Sequence, residues 1–170
     1  MESHKTYELE RKFLLKSLPN IKCTKELKIY QYYLNSEPLV AKRIRRSICG
    51  DVVNYYYTEK IYDTTNSEHT EEIEKIISVT EFNKLKNKAI SLIKKTRRLY
   101  NDGTKDWEID IFDDMSLIIA EIEFIANGLN VHNKSYELNN YKIPNFINEV
   151  LIMEVSNMKE FSNKELALII

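Results

Sequence analysis

Glycine is scarce in this chain. The 170 residues contain three, Gly50, Gly103 and Gly128, where average usage of roughly 7% would supply about twelve. They lie too far apart for G-x-G-x-x-G or a Walker A loop, so phosphate cradling by a glycine-rich turn at a helix start is excluded. Cys23 and Cys49 stand alone without C-x-x-C spacing, which argues against a zinc site or a redox pair and fits free thiols in a reducing compartment. His4, His69 and His132 are scattered, so no histidine-based metal site is expected. Three prolines beside 43% hydrophobic residues exclude a collagenous or disordered chain. No apolar run approaches the ~18 residues of a membrane span, and Met1–Lys12 alternates charge without an apolar core, unlike a signal peptide. A cytoplasmic protein with no membrane partner is the expectation. The net charge of −1, from 25 basic and 26 acidic residues, offers no overall attraction to nucleic acid. Any charged site must arise by segregation inside the fold.

The length suits one domain over residues 1–170. Its dominant pattern is strand-like alternation. Strands are expected at Tyr7–Leu15, Glu26–Leu34, Leu39–Ile48, Val52–Tyr62 and Thr70–Ser78. The period changes over Val79–Ile90, where Phe82, Leu85 and Ala89 recur at helical spacing behind Ser78 and Thr80, predicting a short helix. Strands resume at Leu92–Tyr100 and Lys105–Phe112, a hairpin around Asn101-Asp102-Gly103, and at Ser116–Ile125. Asn145–Leu151 and Asn163–Ile169 read as short helices. Eight strands, few helices and no β-α-β rhythm predict a mainly β (α+β) fold, a closed antiparallel barrel with peripheral helices.

The parity of the charges is the informative feature. Alternate side chains of a strand point to opposite faces. Glu8, Glu10 and Lys12 share one face, as do Arg43 with Arg45, Glu72 with Glu74, Lys95 with Arg97, Glu108 with Asp110, and Glu121 with Glu123. Solvated sheet faces normally mix signs, because like charges side by side repel. Here the pairs within each strand are of one sign. A barrel with a charged lumen and an apolar outside accommodates this pattern. Carboxylate clusters without histidine suit a hard divalent cation such as Mg²⁺ or Mn²⁺. Clustered Arg and Lys, with Lys60 added from the fourth strand, suit phosphate oxygens. Both sets in one lumen predict a polyphosphate–metal complex as the ligand.

Glu8-Leu9-Glu10-Arg11-Lys12 matches the E-x-E-x-K signature that opens CYTH domains, the triphosphate tunnel metalloenzymes. The resemblance continues through Arg43-Ile44-Arg45, Glu59-Lys60, Glu72-Ile73-Glu74, Lys95-Thr96-Arg97, Glu108-Ile109-Asp110 and Glu121-Ile122-Glu123, and ends at Lys159-Glu160-Phe161-Ser162-Asn163. It spans nearly the whole chain in the family's order, and the short chain resembles the compact bacterial members. The resemblance implies an eight-stranded antiparallel tunnel that acts on triphosphates with Mg²⁺ or Mn²⁺. By the same resemblance Glu8, Glu10, Glu72, Glu74, Asp110, Glu121 and Glu123 are the candidates to hold metal. Lys12, Arg43, Arg45, Lys60, Lys95, Arg97 and Lys159 would grip the triphosphate, with Glu8, Glu10, Lys12, Lys95 and Arg97 closest to the chemistry.

The expected activity is removal of the terminal phosphate of a small triphosphate, most simply inorganic tripolyphosphate, with nucleoside triphosphates next. Class IV adenylate cyclase and thiamine triphosphatase are the alternatives within the family, and a non-catalytic triphosphate or polyphosphate sensor is the alternative outside enzymology. A small-molecule substrate is thus the expected partner, with a homodimer allowed by family habit. Lys42, Arg46 and Lys75 have the opposite parity and should face solvent. Glu108 is placed between metal contact and pairing with a lumen arginine, and Tyr56 shares the parity of Lys60.

Overall fold

The computed structural model describes residues 5–63 and 70–170; His4 and His69 lie outside them. Eight long strands follow the alternation: β1 (Thr6–Leu15), β2 (Lys25–Leu34), β3 (Val40–Cys49), β4 (Val52–Tyr62), β5 (Thr70–Ile76), β6 (Ala89–Asn101), β7 (Asp106–Phe112) and β8 (Ile118–Asn127). Neighbours run β6-β2-β3-β4-β5-β1-β8-β7, and β7 pairs back onto β6, so the antiparallel sheet closes into a barrel. β1 pairs with β8 along its whole length and, among the described residues, with β5 at Tyr7 and Glu8.

The predicted boundaries shift where caps intervene. Helix α1 (Val79–Lys86) begins at Ser78, whose hydroxyl accepts from the Glu81 N–H at 3.1 Å, so β5 stops short of it. The helix ends at Asn87 rather than Ile90, because Ala89 and Ile90 enter β6, where Ala89 pairs with Leu34. β8 starts at Ile118, two residues later than expected, since Leu117 is held in a turn with Met115.

Three elements escaped the periodicity. Helix α2 (Val131–Asn139) offers only Val131 and Leu138 as buried positions, too few for a helical stripe. The segment read as one helix over Asn145–Leu151 is instead α3 (Asn145–Asn148) followed by strand β9 (Leu151–Glu154), which pairs with the end of β1. The last predicted helix, Asn163–Ile169, is α4 (Asn163–Leu166) and then β10 (Leu168–Ile169), paired with β6 at Ser91 and Leu92. Runs this short carry no period of their own; their state is set by the barrel edge they meet.

Side-chain parity divides inside from outside. Leu9 and Phe13 of β1, Trp107 and Ile109 of β7, and Ile122 and Phe124 of β8 face outward and are covered by α2 and α3 through Val131, Leu138 and Ile147. Phe13, Trp107, Ile109 and Ile147 have no exposed surface, and burying each such side chain contributes about 1.5–3 kcal/mol. Tyr32, Ile44 and Tyr55 pack likewise under Phe82 of α1. At the end where β7 finishes and β6 and β8 begin, parity brings Ile93, Phe112 and Ile119 inward. Phe161, Leu166 and Ala167 of the C-terminal segment pack on them as an apolar stopper. Arg11, facing out between the motif's two glutamates and its lysine, clips that segment on. Its guanidinium donates to both carboxylate oxygens of Glu154 at 2.9 and 3.0 Å and to the carbonyls of Leu138 and Tyr141.

Candidate active site in the barrel lumen

The lumen gathers the charged pairs from all sides. Glu8, Lys12, Arg43, Lys95, Asp110 and Glu121 are each less than a tenth exposed, a concentration of buried ionisable groups found in proteins only where they pair or bind a ligand. An inner cavity of about 210 Å³ is lined by Glu8, Glu10, Arg43, Arg45, Lys60, Glu72, Glu74, Lys95, Arg97, Glu108, Glu121 and Glu123, joined by Gln31 and Asn163. An outer cavity of about 670 Å³ adds Lys12, Tyr33, Leu39, Tyr62, Met158 and Lys159.

Two charge clusters organise this space. In the first, Lys60 Nζ donates to Glu8 Oε1 at 2.6 Å and stands 3.5 Å from Glu72, while Arg43 is 3.9 Å from Glu72. Lys12 Nζ lies 3.5 Å from Glu10 and 3.6 Å from Glu121. Burial alone would depress the Lys12 ammonium, but Glu121 and Glu10 outweigh it and raise its pKa. In the second cluster, Asp110 is wholly buried and accepts from Lys95 Nζ at 2.6 Å and from Arg97 Nε and Nη2 at 2.7 and 2.8 Å. Arg97 also pairs with Glu108, the arginine partner that parity offered it. Asp110 therefore has both oxygens engaged by cations. Burial opposes its ionisation, yet Arg97 and Lys95 hold it well below the usual carboxylate range. Burial pulls the Lys95 ammonium down to about 8, only partly offset by Asp110.

Glu8, Glu10 and Glu123 form the acidic triad, each offering a carboxylate oxygen within 4.8 Å of the others. β1 and β8 create it, because Glu10 stands directly opposite Glu123 in register. Burial raises both Glu8 and Glu123. Burial and then the neighbouring Glu8, Glu108 and Glu10 push Glu123 up to about 9. Crowded all-oxygen donors of this kind fit a hard divalent cation, which relieves their repulsion. Facing them, Nε of Arg43 and Nε of Arg45 are buried without a hydrogen-bond acceptor among the described residues. A buried donor left unmade costs about 1–3 kcal/mol, more when charged; in the lumen an anion would supply the missing acceptors, while Arg46 Nε is left the same way on the outer face.

The remaining candidates fall as follows. Arg45 lies 3.4 Å from Glu74 and over the Tyr56 ring at 4.7 Å, which puts Tyr56 in the tunnel. Lys159 sits at the outer rim, 84% exposed and 3.7 Å from Glu165. Lys42 and Arg46 are outside, the former paired with Glu37 and the latter over the Tyr30 ring at 4.4 Å. Lys75 is outside as well, near Glu81. Lys42→Ala should accordingly leave the thermal midpoint within about 2 °C of the parent and turnover within twofold, since exposed pairs contribute little.

Sequence reasoning missed three lumen residues on uncharged strand positions. Gln31 Nε2 donates to the Tyr33 hydroxyl at 2.7 Å, and Thr58 Oγ1 donates to Glu74 at 2.7 Å. A glutamine in the middle of the Ile- and Tyr-rich β2, in the same parity as Tyr33, was the available signal.

The closed eight-stranded barrel with this lumen is the CYTH, or triphosphate tunnel, fold. Its solved neighbours include the inorganic triphosphatase NE1496, 26% identical, with a TM-score of 0.60 over 96% of this chain and 95% of that one. Another is the PH1819 protein from Pyrococcus horikoshii OT3, 18% identical, with a TM-score of 0.65 over 94% of this chain and 97% of that one, a likeness of fold. No family model and no curated protein matches the sequence. Among the described residues no helix is long and apolar enough to cross a membrane.

Proposed function

We propose that this chain is a metal-dependent triphosphatase that removes the terminal phosphate of a small triphosphate, with inorganic tripolyphosphate the first candidate. The observation that carries the reading is the inner cavity, where Arg43, Arg45, Lys60, Lys95 and Arg97 face Glu8, Glu10 and Glu123 across a wholly charged and polar space. The 26% identical inorganic triphosphatase supports the same reading.

Glu8, Glu10 and Glu123 would hold Mg²⁺ or Mn²⁺, with Glu121, Glu72 and Glu74 as the further carboxylates of the same inner cavity. When bound, such a cation neutralises phosphate oxygens and lowers their repulsion toward an incoming nucleophile. The chain's own residues do the rest. Arg43 and Arg45 supply planar forks for the phosphate chain, and Lys12, Lys60, Lys95 and Arg97 supply point and fork charges along it. Water attacks the terminal phosphorus in line. A new P–O bond forms while the P–O bond to the bridging oxygen breaks, the leaving pyrophosphate takes the electron pair, and the attacking water gives up a proton to solvent. The fixed cations stabilise the charge that shifts onto that oxygen. Asp110 is assigned to orienting Lys95 and Arg97, because its oxygens are already engaged. The free thiols Cys23 and Cys49 fit a cytoplasmic site of action.

The outer cavity favours a second reading of the substrate. Leu39, Val40, Tyr33, Tyr62 and Met158 give it an apolar wall beyond the phosphate site, room for an organic group on the triphosphate. A panel of tripolyphosphate, ATP, GTP and thiamine triphosphate with Mg²⁺ or Mn²⁺, scored for phosphate release and for cyclic AMP, separates these readings. Phosphate from tripolyphosphate is the expected result. Binding without turnover of any substrate would replace the enzyme with a sensor.

Cation affinity should depend on pH in a defined direction. With Glu123 raised to about 9, a proton is held there at neutral pH and must leave as the cation binds. Mn²⁺ affinity measured calorimetrically should therefore climb between pH 6 and 9, by up to about tenfold per unit, with about one proton released.

A further inference from the structure

The C-terminal segment reaches the lumen through one side chain that the charge pattern did not single out. Asn163, the first residue of α4, lines both the inner and the outer cavity, as do Glu8, Glu10, Arg43 and Lys60. Its Oδ1 accepts from Lys95 Nζ at 3.1 Å. An ammonium only donates, so the oxygen end of the amide must face Lys95 and the Nδ2 end must face away from it. Lys95 is itself immobile, 1% exposed and tied to an Asp110 that Arg97 also grips. The backbone of Asn163 is equally fixed. The Ser162 hydroxyl accepts from the Glu165 N–H, the Ala167 N–H donates to the Asn163 carbonyl, and Leu166 and Ala167 belong to the apolar stopper.

Building on the triphosphate reading, we infer that Asn163 is a triphosphate-binding residue, its amide oriented by Lys95 so that Nδ2 donates to a phosphate oxygen where the two cavities meet. It adds a neutral donor to a wall of cations, and it makes the C-terminal segment part of the anion site as well as its stopper. One of the three Lys95 donors goes to Asp110 and one to Asn163, leaving the third for the same ligand.

The test is calorimetric binding of inorganic tripolyphosphate to the full chain in EDTA, where turnover does not interfere. Asn163→Ala should weaken binding about tenfold, the scale of one hydrogen bond to a charged group. Asn163→Asp keeps the oxygen facing Lys95 but turns an oxyanion toward the phosphate, and should weaken binding about a hundredfold. Leu168→Ala, in the same segment but lining neither cavity, should bind within twofold of the parent. Parent-like affinity in Asn163→Ala, or in Asn163→Asp, overturns the inference. So does an equal loss in Leu168→Ala, which would assign the effect to the seating of the segment. A parent protein that binds tripolyphosphate neither in EDTA nor with Mg²⁺ added instead overturns the triphosphate reading itself; where binding needs Mg²⁺, the same variants are compared with Mg²⁺ present.

Discussion

Replacing Glu10 by Ala should abolish turnover, by at least about a thousandfold, in a protein that remains folded. Glu10 supplies one of three carboxylate oxygens within 4.8 Å of one another, and the triad cannot hold a cation in the same way with two. Preorganised charge at a reacting phosphate is the largest single contribution such a site makes, with individual groups worth about 10²–10³ in rate. Loss of a cation ligand compounds that with loss of the cation. The fold should tolerate the change, because Glu10 is only partly buried and its place in β1 is fixed by backbone pairing to β8. The check is phosphate release from tripolyphosphate at saturating Mn²⁺, alongside circular dichroism. Arg45→Ala should lose turnover comparably while keeping Mn²⁺ affinity, since it faces the anion and not the triad. Near-parent activity in either variant would remove the lumen from the chemistry.

Asp110→Asn should have the largest effect on stability, about 3–5 kcal/mol. The side chain keeps its shape but leaves the buried Lys95 without its paired carboxylate and Arg97 with Glu108 alone. In a chain of this size that corresponds to a thermal midpoint lower by about 10 °C or more. Adding Lys95→Met to Asp110→Asn should return part of the loss, because it removes one of the stranded cations. The pH dependence has a definite sign. Asp110 titrates below its ordinary value of 3.8 because Arg97 and Lys95 outweigh the burial that would raise it. Its contribution is therefore fully present above about pH 4 and disappears as the pH falls through the lower folded value. A parent-like midpoint in Asp110→Asn would mean that the triad of charges holds nothing together.

The barrel and its charged interior were readable because strands impose a period of two, and a residue's parity then fixes its side of the wall. Glu8, Glu10 and Glu123 could be placed together in the lumen before any contact was known, and Lys42 and Arg46 could be placed outside it. What parity cannot give is which charge meets which across the lumen. Asp110 carries the same signature as Glu123, yet register sets Asp110 opposite Arg97 and Glu123 opposite Glu10, so one is an anchor for cations and the other a crowded acid. Gln31 and Tyr33 carry no charge to mark them. The tail was the least legible part, since β9, α4 and β10 are too short to show a period and take their conformation from the barrel edges they meet.

The ion pairs of Lys60 have a mechanical consequence. One ammonium on β4 reaches Glu8 of β1 and Glu72 of β5, and Lys5 reaches Glu71, so the wall where β1 meets β5 is tied by side chains as well as by its backbone pairing at Tyr7 and Glu8. Glu8 and Lys60 also border the phosphate site, so the hoop that gives the vessel its shape is fastened by the groups that would hold its contents.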